Sequence, residues 1–116
     1  MKRDMMANSY FDLSDEDFTE KVLQAPQMVL VNFSIDTSAA CKIQDPEFEA
    51  ISKEYQGRVS FARLNADKYG VITSQWKIDG IPTILFFKGG REIHRIKGIM
   101  MRERLRRQIE GALLAN

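Results

Sequence analysis

One cysteine, Cys41, and one histidine, His94, are all that 116 residues hold of the side chains that most often attack, resolve or ligate. A single thiol cannot close an internal disulfide, because exchange needs one thiolate to attack and a second to resolve the mixed disulfide. One Cys and one distant His fall short of the ligand set that zinc requires, so no metal and no other cofactor is implied. Long apolar runs are missing too. The longest fall far below the ~18 residues of a membrane span, and MKRDMMANSY has no apolar core like that of a secretory signal. Net charge is almost absent at +1, from 17 Lys and Arg against 16 Asp and Glu, and so argues for neither nucleic acid nor a membrane as partner. With no framework of bridges the expected compartment is a reducing cytoplasm, and the expected assembly is a monomer.

What is present suits one compact domain over residues 1–116, with the polar residues 1–8 expected as a flexible extension. Apolar content is 44%, and a chain of this size buries roughly two-thirds of its unfolded surface. Charge is unevenly spread: segment 12–20 carries five acids and no base, whereas segment 88–107 carries eight Lys or Arg against Glu92 and Glu103. A solvated helix face and hairpin explain that run more simply than an anionic docking patch.

Strand and helix patterns alternate, which points to a sheet covered by helices on its faces. SYFDL (9–13) reads as a short strand, and Ser14 with Asp17 as the cap of a helix through about Gln24, with Phe18 and Val22 on its apolar face. MVLVNF (28–33) is a near-continuous apolar run, as a central strand buried on both faces requires. A helix is expected from about Ser38 to Tyr55, with Cys41, Phe48, Ile51 and Tyr55 on one face and Pro46 kinking it. VSFARLNA (59–66) is the next strand. KYGVITSQWKI (68–78) is helical only weakly. TILFFK (83–88) and REIHRIK (91–97) flank the hairpin signal Gly89-Gly90. The last helix, about Met101 to Leu114, places Met101, Leu105, Ile109, Ala112 and Leu113 on one face and spaces Glu103 and Arg107 for an i,i+4 pair.

This order of elements resembles thioredoxin over about residues 9–114. The residues that carry the resemblance are VLVNF, Cys41-Lys42 with Pro46 at a helix start, EYQGRVSFARLNAD (54–67), GIPTILFFKGG (80–90) and Gly98 before the last helix. It implies an α/β fold: a central mixed sheet of four or five strands flanked by about four helices, with a cis Ile81–Pro82 bond beside the redox motif. Carried across residue by residue, it also exposes departures that cluster. The family pattern Trp-Cys-Gly-Pro-Cys-Lys corresponds to Thr37-Ser38-Ala39-Ala40-Cys41-Lys42, so Ser38 stands in the attacking position and only the resolving cysteine remains. The family's buried aspartate corresponds to Asn32, whose amide has no titratable proton. Two tryptophans correspond to Ser34 and Thr37, which removes apolar surface for a docked peptide. Several changes together fit natural divergence better than a single cysteine-to-serine substitution.

Ser38 lacks an adjacent base to activate it, since His94 lies in the hairpin, so its expected role is a helix cap accepting a bond from the amide of Ala40 or Cys41. Cys41 is expected to be a shielded, sluggish thiol. Two functions remain. One is a thiol–disulfide oxidoreductase by resemblance, with dithiol chemistry lost or strongly impaired and Cys41 acting as a single thiol on a disulfide-containing protein substrate. The other is a non-catalytic module that holds an extended segment of a protein partner by backbone pairing in the groove beside Ile81 and Pro82. The residues singled out for chemistry are Cys41, Ser38, Asn32 and Pro82, and those for binding are Ile81, Thr37, Ala39, Ala40 and Gly98.

Overall fold

Alternating strands and helices follow the hydrophobic pattern of the chain closely. The structure, a computed structural model, describes residues 10–116, and the extension expected over 1–8 lies outside the described residues. Five strands, β1 (Phe11–Leu13), β2 (Val29–Ser34), β3 (Ser60–Asn65), β4 (Thr83–Lys88) and β5 (Arg91–Lys97), form one sheet in the order β1-β3-β2-β4-β5. β3 runs parallel to both β1 and β2, whereas β4 runs antiparallel to both β2 and β5. The helices are α1 (Ala39–Glu54), α2 (Gly70–Gln75) and α3 (Arg102–Ala115), with a π-helical turn at Thr19–Leu23. This is the mixed, helix-covered sheet that the resemblance implies.

The period-2 alternation of side chains divides the core between the two sheet faces. On one face Leu30, Phe61, Ile84 and Phe86 pack with Phe48 and Ile51 of α1 and Leu105 and Ile109 of α3. On the other, Val29, Val31, Phe33, Leu64, Leu85 and Phe87 pack with Phe18, Val22 and Ile72. All six residues of β2 are buried, which is why its sequence is apolar almost throughout. The β4–β5 hairpin turns at Gly89 and Gly90, with φ of 61° and 80°, values that the sharp two-residue turn demands and that residues with a Cβ rarely adopt.

Three local expectations are corrected. The Ser14–Asp17 cap is present, the Ser14 amide donating to the Asp17 carboxylate at 2.8 Å, but it closes a turn. Beyond that turn the chain winds as the π-helical segment, in which the Gln24 amide reaches back to the Thr19 carbonyl at 3.0 Å. So short a segment has little α-helical cooperativity, and Phe18 and Val22 are both buried against the sheet. Met101 is 50% exposed, because it sits in extended conformation just before α3 and not on its apolar stripe. Glu103 pairs with Arg106 at 3.0 Å and not with Arg107. Arg106 is already turned toward α1, where its guanidinium donates to both carboxylate oxygens of Glu54 at 2.9 and 2.7 Å.

Leu105, with no exposed surface, is one of the core contacts through which α3 meets α1 and the sheet. Leu105→Ala should lower the unfolding free energy by about 2–5 kcal/mol in urea denaturation. Leu114→Ala, at a position 88% exposed, should change it by no more than about 0.5 kcal/mol.

Candidate functional site

The motif segment begins where β2 ends. Ser34 closes β2, residues 35–37 form a turn, and Ser38 opens α1 in extended conformation. The Ser38 hydroxyl accepts the Cys41 amide at 3.2 Å, and its carbonyl accepts the Lys42 amide at 3.0 Å. Ser38 is therefore the N-terminal cap of α1, satisfying a backbone donor that the helix leaves free. Cys41 lies in the first turn with 1% of its surface exposed and is a free thiol.

Strand register brings the other half of the site alongside. Phe33 pairs with Thr83, so the end of β2 that leads into α1 runs past the start of β4, where Pro82 is buried and Ile81 half-buried. The Ile81–Pro82 bond is cis, and the Pro82 carbonyl accepts the Gly98 amide at 2.9 Å. Gly98 has φ of 86°, a conformation that strains any residue with a Cβ. Thr37 and Ala39 are exposed and Ala40 is half-buried. The Gly98–Pro82 bond joins the segment after β5 to the start of β4, and the Phe33–Thr83 pair sets that start beside the end of β2.

Asn32 lies deeper. It is 1% exposed and its Nδ2 donates to Asp45 Oδ1 at 2.8 Å, while its Oδ1 has no hydrogen-bond partner among the described residues. Ser34 is fully buried, accepting Arg63 Nε at 2.6 Å and donating to Asp45 Oδ2 at 3.4 Å. Arg63 reaches Asp45 at 3.2 Å and Asp36 at 2.9 Å. Burial works against the Arg63 charge, but the hydrogen bond to Asp36 and the nearby Asp45 carboxylate more than offset it and hold the guanidinium above the usual arginine range. A polar cluster of Asn32, Ser34, Asp36, Asp45 and Arg63 therefore ties β2, β3, the motif turn and α1 together.

Sequence reading missed Asp36, Asp45 and Arg63. The one local signal was that Asp45 follows Cys41 by one helical turn; that Arg63 is directly opposite Asn32 is set by the parallel β2–β3 register. His94 stays outside the site, on β5, where it bonds Gln108 of α3 at 2.7 Å and packs edge-on against Phe86 at 5.1 Å. Ser38 is thus held to the backbone as a cap, and the only histidine is occupied elsewhere. Among the described residues no group of three or more His, Cys, Asp or Glu side chains is placed to hold a metal ion, and no helix is long and apolar enough to cross a membrane.

Comparison with known proteins agrees with this geometry. A family model described as thioredoxin matches residues 9–111. The thioredoxin of Chlorobaculum thiosulfatiphilum is 30% identical over 104 residues, spanning 90% of this chain and 96% of that protein. A Caenorhabditis elegans protein named "Probable thioredoxin-2" is 36% identical over 108 residues, spanning 92% and 74%. The thioredoxin of a Synechocystis species is 34% identical over 101 residues, spanning 87% and 94%. With the sheet order, the helix-start cysteine and a match of this extent, the chain belongs to the thioredoxin family.

Proposed function

We propose that this protein is a member of the thiol–disulfide oxidoreductase class in which dithiol exchange is lost, and that it holds an extended protein segment in the groove beside Pro82. The observation that carries this reading is the state of the motif. Ser38 occupies the attacking position with its hydroxyl committed to capping α1, and Cys41 is 1% exposed. A buried thiol reaches a disulfide only when the first turn of α1 opens, so even single-thiol exchange is limited by that opening. The groove keeps what binding needs. In this reading the exposed Thr37 and Ala39 and the half-buried Ile35 and Ala40 form one wall, and Ile81 supplies backbone groups for strand addition. Thr37 gives this wall a smaller, more polar surface than a tryptophan would. A single cysteine suits a reducing compartment, and the cytoplasm is the proposed location.

The single-thiol reading keeps one observation in its favour. The Cys41 amide lies in the first turn of α1, where the helix dipole stabilises a thiolate once water reaches it. Such a thiol would form a mixed disulfide by displacing one sulfur of a partner's disulfide as a thiolate, and an external thiol would have to release it.

Two measurements separate these readings. Ellman's reagent should modify Cys41 on the order of tenfold or more slowly in the native protein than in urea, and insulin reduction by dithiothreitol should stay at the blank rate. Fast native labelling, or insulin turnover abolished by Cys41→Ala, would instead establish an accessible nucleophile. In Ser38→Cys a disulfide between the introduced thiol and Cys41 should form, with exchange still slowed because Asn32 cannot move a proton. For binding, partners captured from a native extract should be the same with and without reductant and with Cys41→Ala. They should be lost in Ile81→Pro, which removes a backbone donor, when circular dichroism shows that variant folded. Partners seen only without reductant, and absent with Cys41→Ala, would favour single-thiol chemistry.

A further inference from the structure

The basic run of residues 88–107 is only partly neutralised. Arg95 pairs with Glu92, Lys97 with Asp79, Arg102 with Glu47, and Arg106 with both Glu54 and Glu103, whereas Lys88, Arg91, Arg104 and Arg107 make no ion pair among the described residues. Lys88 and Arg91 stand directly opposite each other across the β4–β5 hairpin, an arrangement of like charges that costs stability. Arg104 and Arg107, three apart and both exposed, share one side of α3. Between the start of β5 and the second half of α3 lies a cavity of about 320 Å³. Ile93 and His94 border it from the strand, and Arg107, Gln108, Gly111 and Ala112 from the helix. No Asp or Glu side chain lines it. His94 Nε2 is bonded to Gln108 Oε1 at 2.7 Å, and Nδ1 has no partner among the described residues.

We infer that the open edge of β5 and the cavity beside it form a docking site for an extended acidic segment of a partner protein. The segment adds as a strand next to β5, and its side chains on the α3 side, two residues apart, bring carboxylates toward His94, Arg107 and Arg104. β5 is the last strand of the sheet and spans seven residues, and no hydrogen bond from another segment reaches its outer backbone among the described residues. β1, at the other edge, has only three residues. Charge decides the occupant. A second copy of β5, paired antiparallel about His94, would set Arg91 against Lys97, and these like charges repel. A nucleic acid is opposed by a net charge of only +1 and by the five acids of segment 12–20. Free cations around a cavity without acids suit carboxylates on a short strand. The site stands apart from Pro82, which is bonded to Gly98, the residue that follows the opposite end of β5.

The probe is a peptide, Thr-Glu-Val-Glu-Val-Glu-Thr, blocked at both ends and titrated at low ionic strength into the full nitrogen-15-labelled chain while its amide resonances are followed. It should shift amides of β5 and of the second half of α3, and added salt should weaken it because exposed charges are screened. The same peptide with Gln for each Glu should bind about tenfold or more weakly, and so should the original peptide to the double variant Arg104→Glu with Arg107→Glu. Both substitutions are at exposed positions, so circular dichroism should show that variant folded. Strand pairing is tested by two further peptides, N-methylated at the odd or at the even positions. Only one edge of the peptide can face β5, so one form should lose binding and the other keep it. Loss in both forms, or in neither, would overturn strand addition, and affinity indifferent to the charge changes would overturn the acidic partner. A ten-base-pair DNA duplex bound as tightly as the peptide, with the same dependence on Arg104 and Arg107, would assign the cations to nucleic acid. A chain that sediments as a dimer and shows β5 amides protected from exchange would assign the edge to a second copy. No shift at millimolar peptide would overturn the site altogether.

Discussion

Burial of β2 on both faces is the constraint on which the rest of the molecule depends. Its six residues are enclosed by β3 on one side, β4 on the other and a helical layer above and below. Each fully buried Val, Leu or Phe is worth about 1.5–3 kcal/mol against exposure, and β2 contributes to both core clusters at once. Its register leaves little choice: a shift by one residue would carry Phe33 to the face of Asn32 and Ser34 and put both polar groups into the apolar layer around Phe18 and Phe87. The motif, which begins directly after β2, inherits its position from that register.

The polar cluster at the end of β2 depends on the same placement. Asn32 and Ser34 alternate with Val31 and Phe33, so both face α1, and the parallel partner strand places Arg63 on that face. Asp45 meets them from the helix. The carboxylate beside Asn32 is therefore carried by α1 and is paired with a guanidinium that also holds Asp36 in the motif turn. Such an arrangement ties the approach to Ser38 to β3, because moving the turn would separate Arg63 from the exposed Asp36 carboxylate. Together with the cap at Ser38 and the bonds of Gln44 to Met100, it ties the motif turn and the segment before α3 to α1.

Legibility differs by element. β4 and β5 coincide with the runs 83–88 and 91–97, because a Gly-Gly turn between the apolar run TILFFK and the largely polar REIHRIK admits few alternatives. α1 runs Ala39–Glu54 against an expected 38–55, its ends marked by the Ser38 cap and by Tyr55. The segment after Ser14 carries an α-helical pattern but winds otherwise, and Met101 and Glu103 have neighbours other than those their spacing suggests. These residues lie at the margins of their elements, where a cap position or an i,i+3 neighbour replaces the expected spacing. Ser38 as a cap is readable from its residue type and place. The Asn32–Asp45–Arg63 cluster is not, since its members come from three elements separated by 13 residues or more.

The sequence by itself determined the alternation of strand and helix, the strand buried on both faces, the absence of a second thiol and the serine at the head of α1. All of these are properties of local pattern or residue type, and local physics sets them. Only the tertiary structure decided that Ser34 is an interior residue, that Asp45 and not a strand residue brings the carboxylate to Asn32, that Gln44 holds Met100, and that Cys41 is closed off from solvent. Those facts depend on which side chains from distant segments meet across the sheet face, and that is set by register and packing, which no single stretch of chain contains.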